Sequence, residues 1–247
     1  MDLGPKKYLE DSMKITKLLL ITLSLLLTFS ALTACQTTDG EDTTAQETTG
    51  GPTVGTCDMN AINAEIDSMR VEDFTEATET TEYVKFSVKN YGDFIVRLRK
   101  DIAPITVTNF QKLVSQKFYD GLTFHRIMKG FMIQGGDPKG DGTGGSSETI
   151  KGEFSQNGVR NELSHVMGVI SMARRSYPMD SASSQFFICN ADASRSLDGS
   201  YAGFGYVVAG LEVILMVSDV EVSSNGSENS KPAEPVIIEK VCFVEKK

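Results

Sequence analysis

From residue 82 onward glycine cuts the chain into short apolar runs, and this pattern limits the fold more than any other feature. The runs are "TFHRI", "FMIQGG", "GVISMA", "QFFIC" and "FGYVVAG". Before them, "YVKFSVKN" alternates apolar and polar residues, "YG" turns, and "DFIVRLR" alternates again, which is a hairpin pattern. After them, "VIIEKVCFV" reads as a closing strand. Two stretches have helical spacing. One is "APITVTNFQKLVSQ", with Pro104 near its first turn and Val107, Phe110 and Val114 on one face. The other is "LEVILMVSDV", residues 211–220. "YDGL" reads as a turn and "NGSENSKPAEP" as an exposed loop. Many short strands with few helices predict an antiparallel barrel or sandwich.

The start of the chain has a different character. Lys14 and Lys17 precede an uncharged stretch from Leu18 to Thr38 whose strongly apolar part is about fifteen residues, shorter than the roughly 20 a membrane-spanning helix needs. It ends in "LTAC", Leu32 to Cys35. A basic segment, an apolar segment and a small-residue site form a secretory leader. "LTAC" resembles the lipobox of bacterial lipoproteins, which implies cleavage before Cys35 and a lipid thioether on its sulfur, an extracytoplasmic anchor. Met13 is an alternative start. Residues 36–56 are rich in Thr, Gly and acid, a solvated tether of roughly 25 Å reach. The expected layout is a leader over 1–34, a lipid-bearing flexible tether over 35–56, a weakly structured extension over 57–81 and one domain over 82–247. Within the extension, Ile62, Ile66 and Met69 have the spacing of a short helix.

A net charge of −9 lacks the basic footprint of a nucleic-acid binder. Cys189, in "QFFICN", reads as a buried inert thiol. Export permits a disulfide between Cys57 and Cys242, but two cysteines do not make a framework. The two histidines, His125 and His165, are too few for a metal site or a Ser-His-Asp triad. "GDPKGDGTGG" lacks the Gly-Lys-Ser/Thr ending of a phosphate loop and reads as a flexible turn region. No metal or cofactor is expected.

One string remains unusual. "TFHRIMKGFMIQGGD", residues 123–137, places Arg126 and Gln134 in an otherwise apolar run. In a strand, His125 and Arg126 point to opposite faces. Taken by itself, the run reads as a surface arginine beside core residues.

Four further motifs change that reading. "FHRIMKGFMIQGGDP" (124–138), "DGTGG" (141–145), "GVISMAR" (168–174), "SASSQFFI" (181–188) and "LDGSYAGFGYVVAGLEV" (197–213) resemble the cyclophilin-type peptidyl-prolyl isomerases, in that family's order and spacing. The resemblance covers residues 83–244 and implies an eight-stranded, closed antiparallel β-barrel capped by two α-helices. It makes Arg126 the catalytic arginine. Phe131, Met132, Phe187 and Leu197 match the pocket for the proline ring, and Gln134 matches the amide beside the arginine. Gly142, Ala173, Arg174 and Gln185 match the groove for residues before proline. Arg174 stands where most relatives have asparagine, whose contact is largely through the backbone, so a mild effect is expected. Tyr201 stands where many relatives have histidine, and it can still pack on the proline ring. Ser196 stands where many eukaryotic members have tryptophan, which implies weakened cyclosporin binding. The implied substrates are proline peptides and unfolded exported proteins, acted on by a monomer. A proline-peptide-binding chaperone with little turnover is the alternative.

Overall fold

The structure is a computed structural model that describes residues 57–224 and 226–247. The leader, Cys35 and the tether lie outside the described residues. Among the described residues no helix is long and apolar enough to cross a membrane.

The described part begins with helix α1 (Met59–Glu65), started by Asp58, whose carboxylate accepts from the amides of Asn60 and Ala61 at 3.0 and 3.3 Å. A 3-10 turn (Val71–Asp73) and a short strand β1 (Phe74–Glu76) follow. The expected hairpin is β2 (Tyr83–Val88) and β3 (Gly92–Leu98), paired so that Phe86 faces Phe94 and their rings stack at 4.7 Å. Helix α2 (Pro104–Ser115) buries Val107, Phe110 and Val114 as its spacing predicts. Its first amides find a cap from far along the chain. The buried Glu153 accepts from the amides of Ile105 and Thr106 and from the Thr106 hydroxyl at 2.7–3.1 Å.

The remaining elements are β4 (Arg126–Met128), β5 (Met132–Gly135), β6 (Val169–Met172), β7 (Phe186–Cys189), α3 (Ser194–Leu197), β8 (Ala202–Ala209), α4 (Leu211–Ser218), β9 (Val222–Ser224), β10 (Asn229–Pro232) and β11 (Ile238–Lys246). Nine strands pair antiparallel in the order β1-β11-β2-β3-β8-β6-β7-β5-β4, and β9 with β10 form a separate ribbon. The expected closed barrel of eight strands is thus seen as a nine-stranded sheet with β1 and β4 at its ends. The chain entering β4 still touches β11's approach: Thr123 bridges Ile237, and Phe124 donates to the Val236 carbonyl at 2.9 Å. The ninth strand is β1, too short to show an alternation in sequence.

The extension over 57–81 is ordered, contrary to expectation. Ile62 and Phe74 are buried, and the amides of Asp67 and Met69 donate to carbonyls of β8. Isolated short helices are marginal in water, so its order comes from this docking rather than from propensity. The loop expected at 225–235 contains β10, with Ser230 fully buried. Cys57 and Cys242 are free thiols, which removes the disulfide. Cys189 is buried, and burial pushes its thiol up to about 12.

Candidate active site

The strand period sorts the side chains of β4, β5 and β7 onto two faces. Ile127, Ile133, Ile188 and Ile170 point into the main core with Phe86, Phe110 and Phe186. The other face carries a row across four strands. Arg126 pairs with Gln134, Gln134 with Phe187, and Phe187 with Ser171 in direct register. One residue of slip would exchange this row for the isoleucines.

On that face lies a cavity of about 320 Å³. Arg126, Met132 and Gln134 form its β4–β5 side, with Phe131 from the turn between them. Phe187 lies on β7, Leu197 ends α3, and Tyr201 follows it. The segment after β7 is tied over β4 and β5 by Asn190, whose side-chain amide donates to the Met128 carbonyl at 2.9 Å. A second cavity, of about 620 Å³, shares Gln134, Ala173 and Arg174 with the first and adds Gly142 and Gln185. All eleven residues singled out in the sequence therefore line two adjoining hollows. Gln185 links them: it accepts from Gln134 at 2.8 Å and donates to the carbonyls of Gly142 and Gly144. The glycine-rich stretch is organised rather than loose, because the buried Asp137 accepts from the amides of Lys139, Asp141 and Gly142.

Arg126 has a partner that the sequence reading missed. Glu228 accepts from Nε and, at 2.9 Å, from Nη2, while Nη1 donates to Gln134 Oε1 at 3.2 Å. A two-pronged carboxylate fixes the plane of a guanidinium. Met132 Sδ lies 3.9 Å from Nη1, which leaves that nitrogen on the apolar side. Nothing in the sequence marked Glu228, which lies 102 residues away in a stretch without periodicity.

Beneath the row, His165 Nδ1 lies 2.8 Å from Asp198 and Nε2 2.9 Å from Ser171 Oγ. Asp198 accepts, so Nδ1 carries the proton and Nε2 accepts from the serine. The order Ser-His-Asp resembles a nucleophilic triad, but Ser171 is fully buried and cannot meet a substrate. The imidazole stacks on Phe187 at 6.0 Å and supports it from below. Burial pushes its pKa down despite Asp198. His125 is likewise pushed down, by burial foremost and with Arg126 adding to it, although Asp137 opposes the shift. Among the described residues neither of its ring nitrogens has a hydrogen-bond partner. Among the described residues no cluster of His, Cys, Asp or Glu could hold a metal ion.

Comparison with known proteins decides the family. The cyclophilin type peptidyl-prolyl cis-trans isomerase/CLD family matches residues 83–242. The chain belongs to that family. It is a cyclophilin-type peptidyl-prolyl cis-trans isomerase.

Among curated cyclophilins, peptidyl-prolyl cis-trans isomerase B of Bacillus subtilis strain 168 is 44% identical over 125 residues, 51% of this chain and 82% of that protein. The isomerase B of Escherichia coli K12 is 37% identical over 165 residues, 63% of this chain and 96% of that protein. A Cryptosporidium parvum cyclophilin crystallised in the presence of the dipeptide Ala-Pro has a TM-score of 0.58 and 31% identity, covering 65% of this chain and 98% of that one.

Ser196 and Arg174 behave differently in the fold. Ser196 turns its hydroxyl back to the Ala193 carbonyl at 3.0 Å, inside its own short helix. Arg174, where a mild effect is expected, engages its side chain in three hydrogen bonds to carbonyls. Its guanidinium lies 4.7 Å from the Phe154 ring and 4.9 Å from the Tyr201 ring.

Proposed function

We propose that Arg126 stabilises a half-rotated prolyl amide held in the 320 Å³ cavity, and that the protein does this for exported chains at the outer face of a membrane. The observation that carries the first part is the guanidinium at the edge of a hollow that Phe131, Met132, Phe187 and Leu197 help to line, oriented by Glu228 and Gln134.

Rotation about an amide is slow because resonance gives the C–N bond double-bond character, a barrier of roughly 18–20 kcal/mol. At proline both isomers are populated, so only their exchange needs help. No covalent bond breaks, and a nucleophile is unnecessary. In the twisted state resonance is lost and the nitrogen becomes pyramidal with a free lone pair. An N–H of the Arg126 guanidinium donates to that lone pair, which the planar isomers do not present, so the interaction favours the transition state over both ground states. Arginine stays charged and holds a planar fork. The ring seated against Phe131, Met132, Phe187 and Leu197 displaces water beside the guanidinium, which strengthens the charge–dipole attraction. Glu228 occupies Nε and Nη2 and leaves the Nη1 edge toward Gln134 and the cavity. Gln134, with the Gln185 network, offers a fixed contact for the peptide on one side while the other turns.

A coupled prolyl-peptide assay tests this reading. The wild type isomerises, and Arg126→Ala loses about a hundredfold or more in kcat/KM while still binding proline peptides. Equal rates in the two would remove Arg126 from the mechanism. Peptide binding without turnover in the wild type would favour the chaperone alternative.

The leader and Cys35 support the location. A Cys35→Ala variant is expected in the soluble fraction, with the wild type in the membrane fraction. A wild type found soluble would refute the anchor. Ser196, with no indole to offer, supports weakened cyclosporin binding, and the reading is of a monomer acting on proline-containing segments of unfolded exported proteins.

A further inference from the structure

We infer that Arg174 is a positioning residue for the proline pocket: it fixes Tyr201, and the two work as a pair. The inference rests on the reading of the 320 Å³ cavity as the proline site, but not on the role of Arg126.

Tyr201 stands between α3 and β8, half-buried, with its backbone outside both elements. Its ring meets Phe187 edge-on at 5.6 Å and forms one wall of the cavity. A tyrosine at the end of a loop can swing its ring toward water unless something holds it. Arg174 holds it twice. Its Nε donates to the Ser200 carbonyl at 2.9 Å, next to Tyr201 in the chain, and its guanidinium lies over the Tyr201 ring at 4.9 Å. A guanidinium within about 6 Å of an aromatic centroid is attracted to the ring face.

The arginine is itself fixed. Nη1 donates to the carbonyls of Arg175 and Ser176 at 2.9 and 3.3 Å, and the buried Phe154 lies 4.7 Å away. The contacts run from the 175–176 backbone through Arg174 to Tyr201 and on to Phe187. Asparagine, short and uncharged, could make neither the ring contact nor the three carbonyl contacts together. Histidine in place of Tyr201 would be a weaker surface for a cation.

A wall held in place before the substrate arrives lowers the ordering cost of binding. Loss of Arg174 should therefore weaken capture of the proline ring and leave the twisting step alone. The test uses the full domain with Arg174→Asn, Arg174→Lys, Tyr201→His and the double variant Arg174→Asn/Tyr201→His. Affinity for an Ala-Pro peptide is measured by calorimetry, beside KM, kcat and thermal midpoint. Arg174→Asn is expected to weaken peptide binding and raise KM about fivefold, with kcat held within about twofold. Arg174→Lys, which keeps the cation, recovers part of the loss. The double variant binds as well as or better than Arg174→Asn, because histidine does not need the arginine. In aromatic NMR spectra the Tyr201 ring signals should shift or average in Arg174→Asn.

Unchanged affinity and Tyr201 signals in Arg174→Asn would overturn the inference. So would losses that follow the thermal midpoint in every variant, which would make Arg174 structural only. Additive effects in the double variant would show that the two residues act separately. If the wild type bound peptide without isomerising it, the proposed activity would fail while the affinity series still decided this point.

Discussion

Arg97 on β3 and Arg126 on β4 are nearly alike in a catalogue of contacts. Each side chain is 31% exposed, and each reaches a glutamate distant in sequence through two short hydrogen bonds. Their surroundings differ. Arg97 Nη1 takes both oxygens of Glu65, its Nε takes Glu82, and the Tyr206 hydroxyl donates to Glu65 at 2.6 Å. Burial works against the charge of Arg97, but Glu82 and Glu65 outweigh it and raise its pKa. Burial, with Glu65 beside it, pushes the Tyr206 hydroxyl up to about 12. This cation joins helix α1 to the sheet. Arg126 has one carboxylate, one amide and two methionine sulfurs, and it borders a cavity lined in part by Phe131, Met132, Phe187 and Leu197. A charge surrounded by acids serves docking. A charge fixed at its back and facing an open hollow retains something to give a substrate.

The comparison can be broken most sharply by exchanging the losses. Arg126→Ala should abolish most turnover and leave the thermal midpoint almost unmoved. Arg97→Ala should do the reverse, lowering stability by about 1–2 kcal/mol, or roughly 3 °C in midpoint, with kcat/KM unchanged. If Arg97→Ala lost activity without losing stability, the distinction between the two arginines would disappear.

A smaller effect sharpens the comparison through the glutamates. Glu228→Gln keeps the shape but weakens the hold on the guanidinium, and about a tenfold loss in kcat/KM is expected. Glu65→Gln should change stability and spare the rate. Faster turnover in Glu228→Gln would mean that the carboxylate restrains Arg126 instead of orienting it.

The smallest expected effect is on acid stability. His125 beside Arg126 and His165 beneath Phe187 both have folded pKa values below the ordinary 6.5. The unfolded chain therefore binds more protons as pH falls through 6.5, and the stability these neutral rings provide is present above that value and lost below it. Urea midpoints measured from neutral to mildly acid pH should decline, and His125→Gln should reduce the slope. A midpoint that rose on acidification would contradict the burial of these rings.

Much of the site was legible before folding. The resemblance of "FHRIMKGFMIQGGDP" to the cyclophilin pattern put Arg126 and Gln134 in one site, and the register places them opposite each other. The same resemblance assigned Phe187 to that site, and β7 sets it opposite Gln134. Strand β1, helix α3 and the β9–β10 ribbon were not legible, being three or four residues each. Periods of 2 or 3.6 need more residues than that to show. The docking of residues 57–81 was hidden for a related reason: the spacing of Ile62, Ile66 and Met69 suggests a short helix but not the surface it meets, and only that surface makes Ile62 and Phe74 core.

Backbone geometry acts between neighbours, so a strand's two faces are written in its own few residues, and with them the arginine, the amide and the greasy wall. Charge partners obey no such local rule. Glu228 reaches Arg126 across 102 residues, Glu65 reaches Arg97 across 32, and Arg174 meets Tyr201 through space. Which acid holds which cation, and whether that cation ends as a strut or faces a substrate, was decided when the sheet brought distant segments within hydrogen-bonding range.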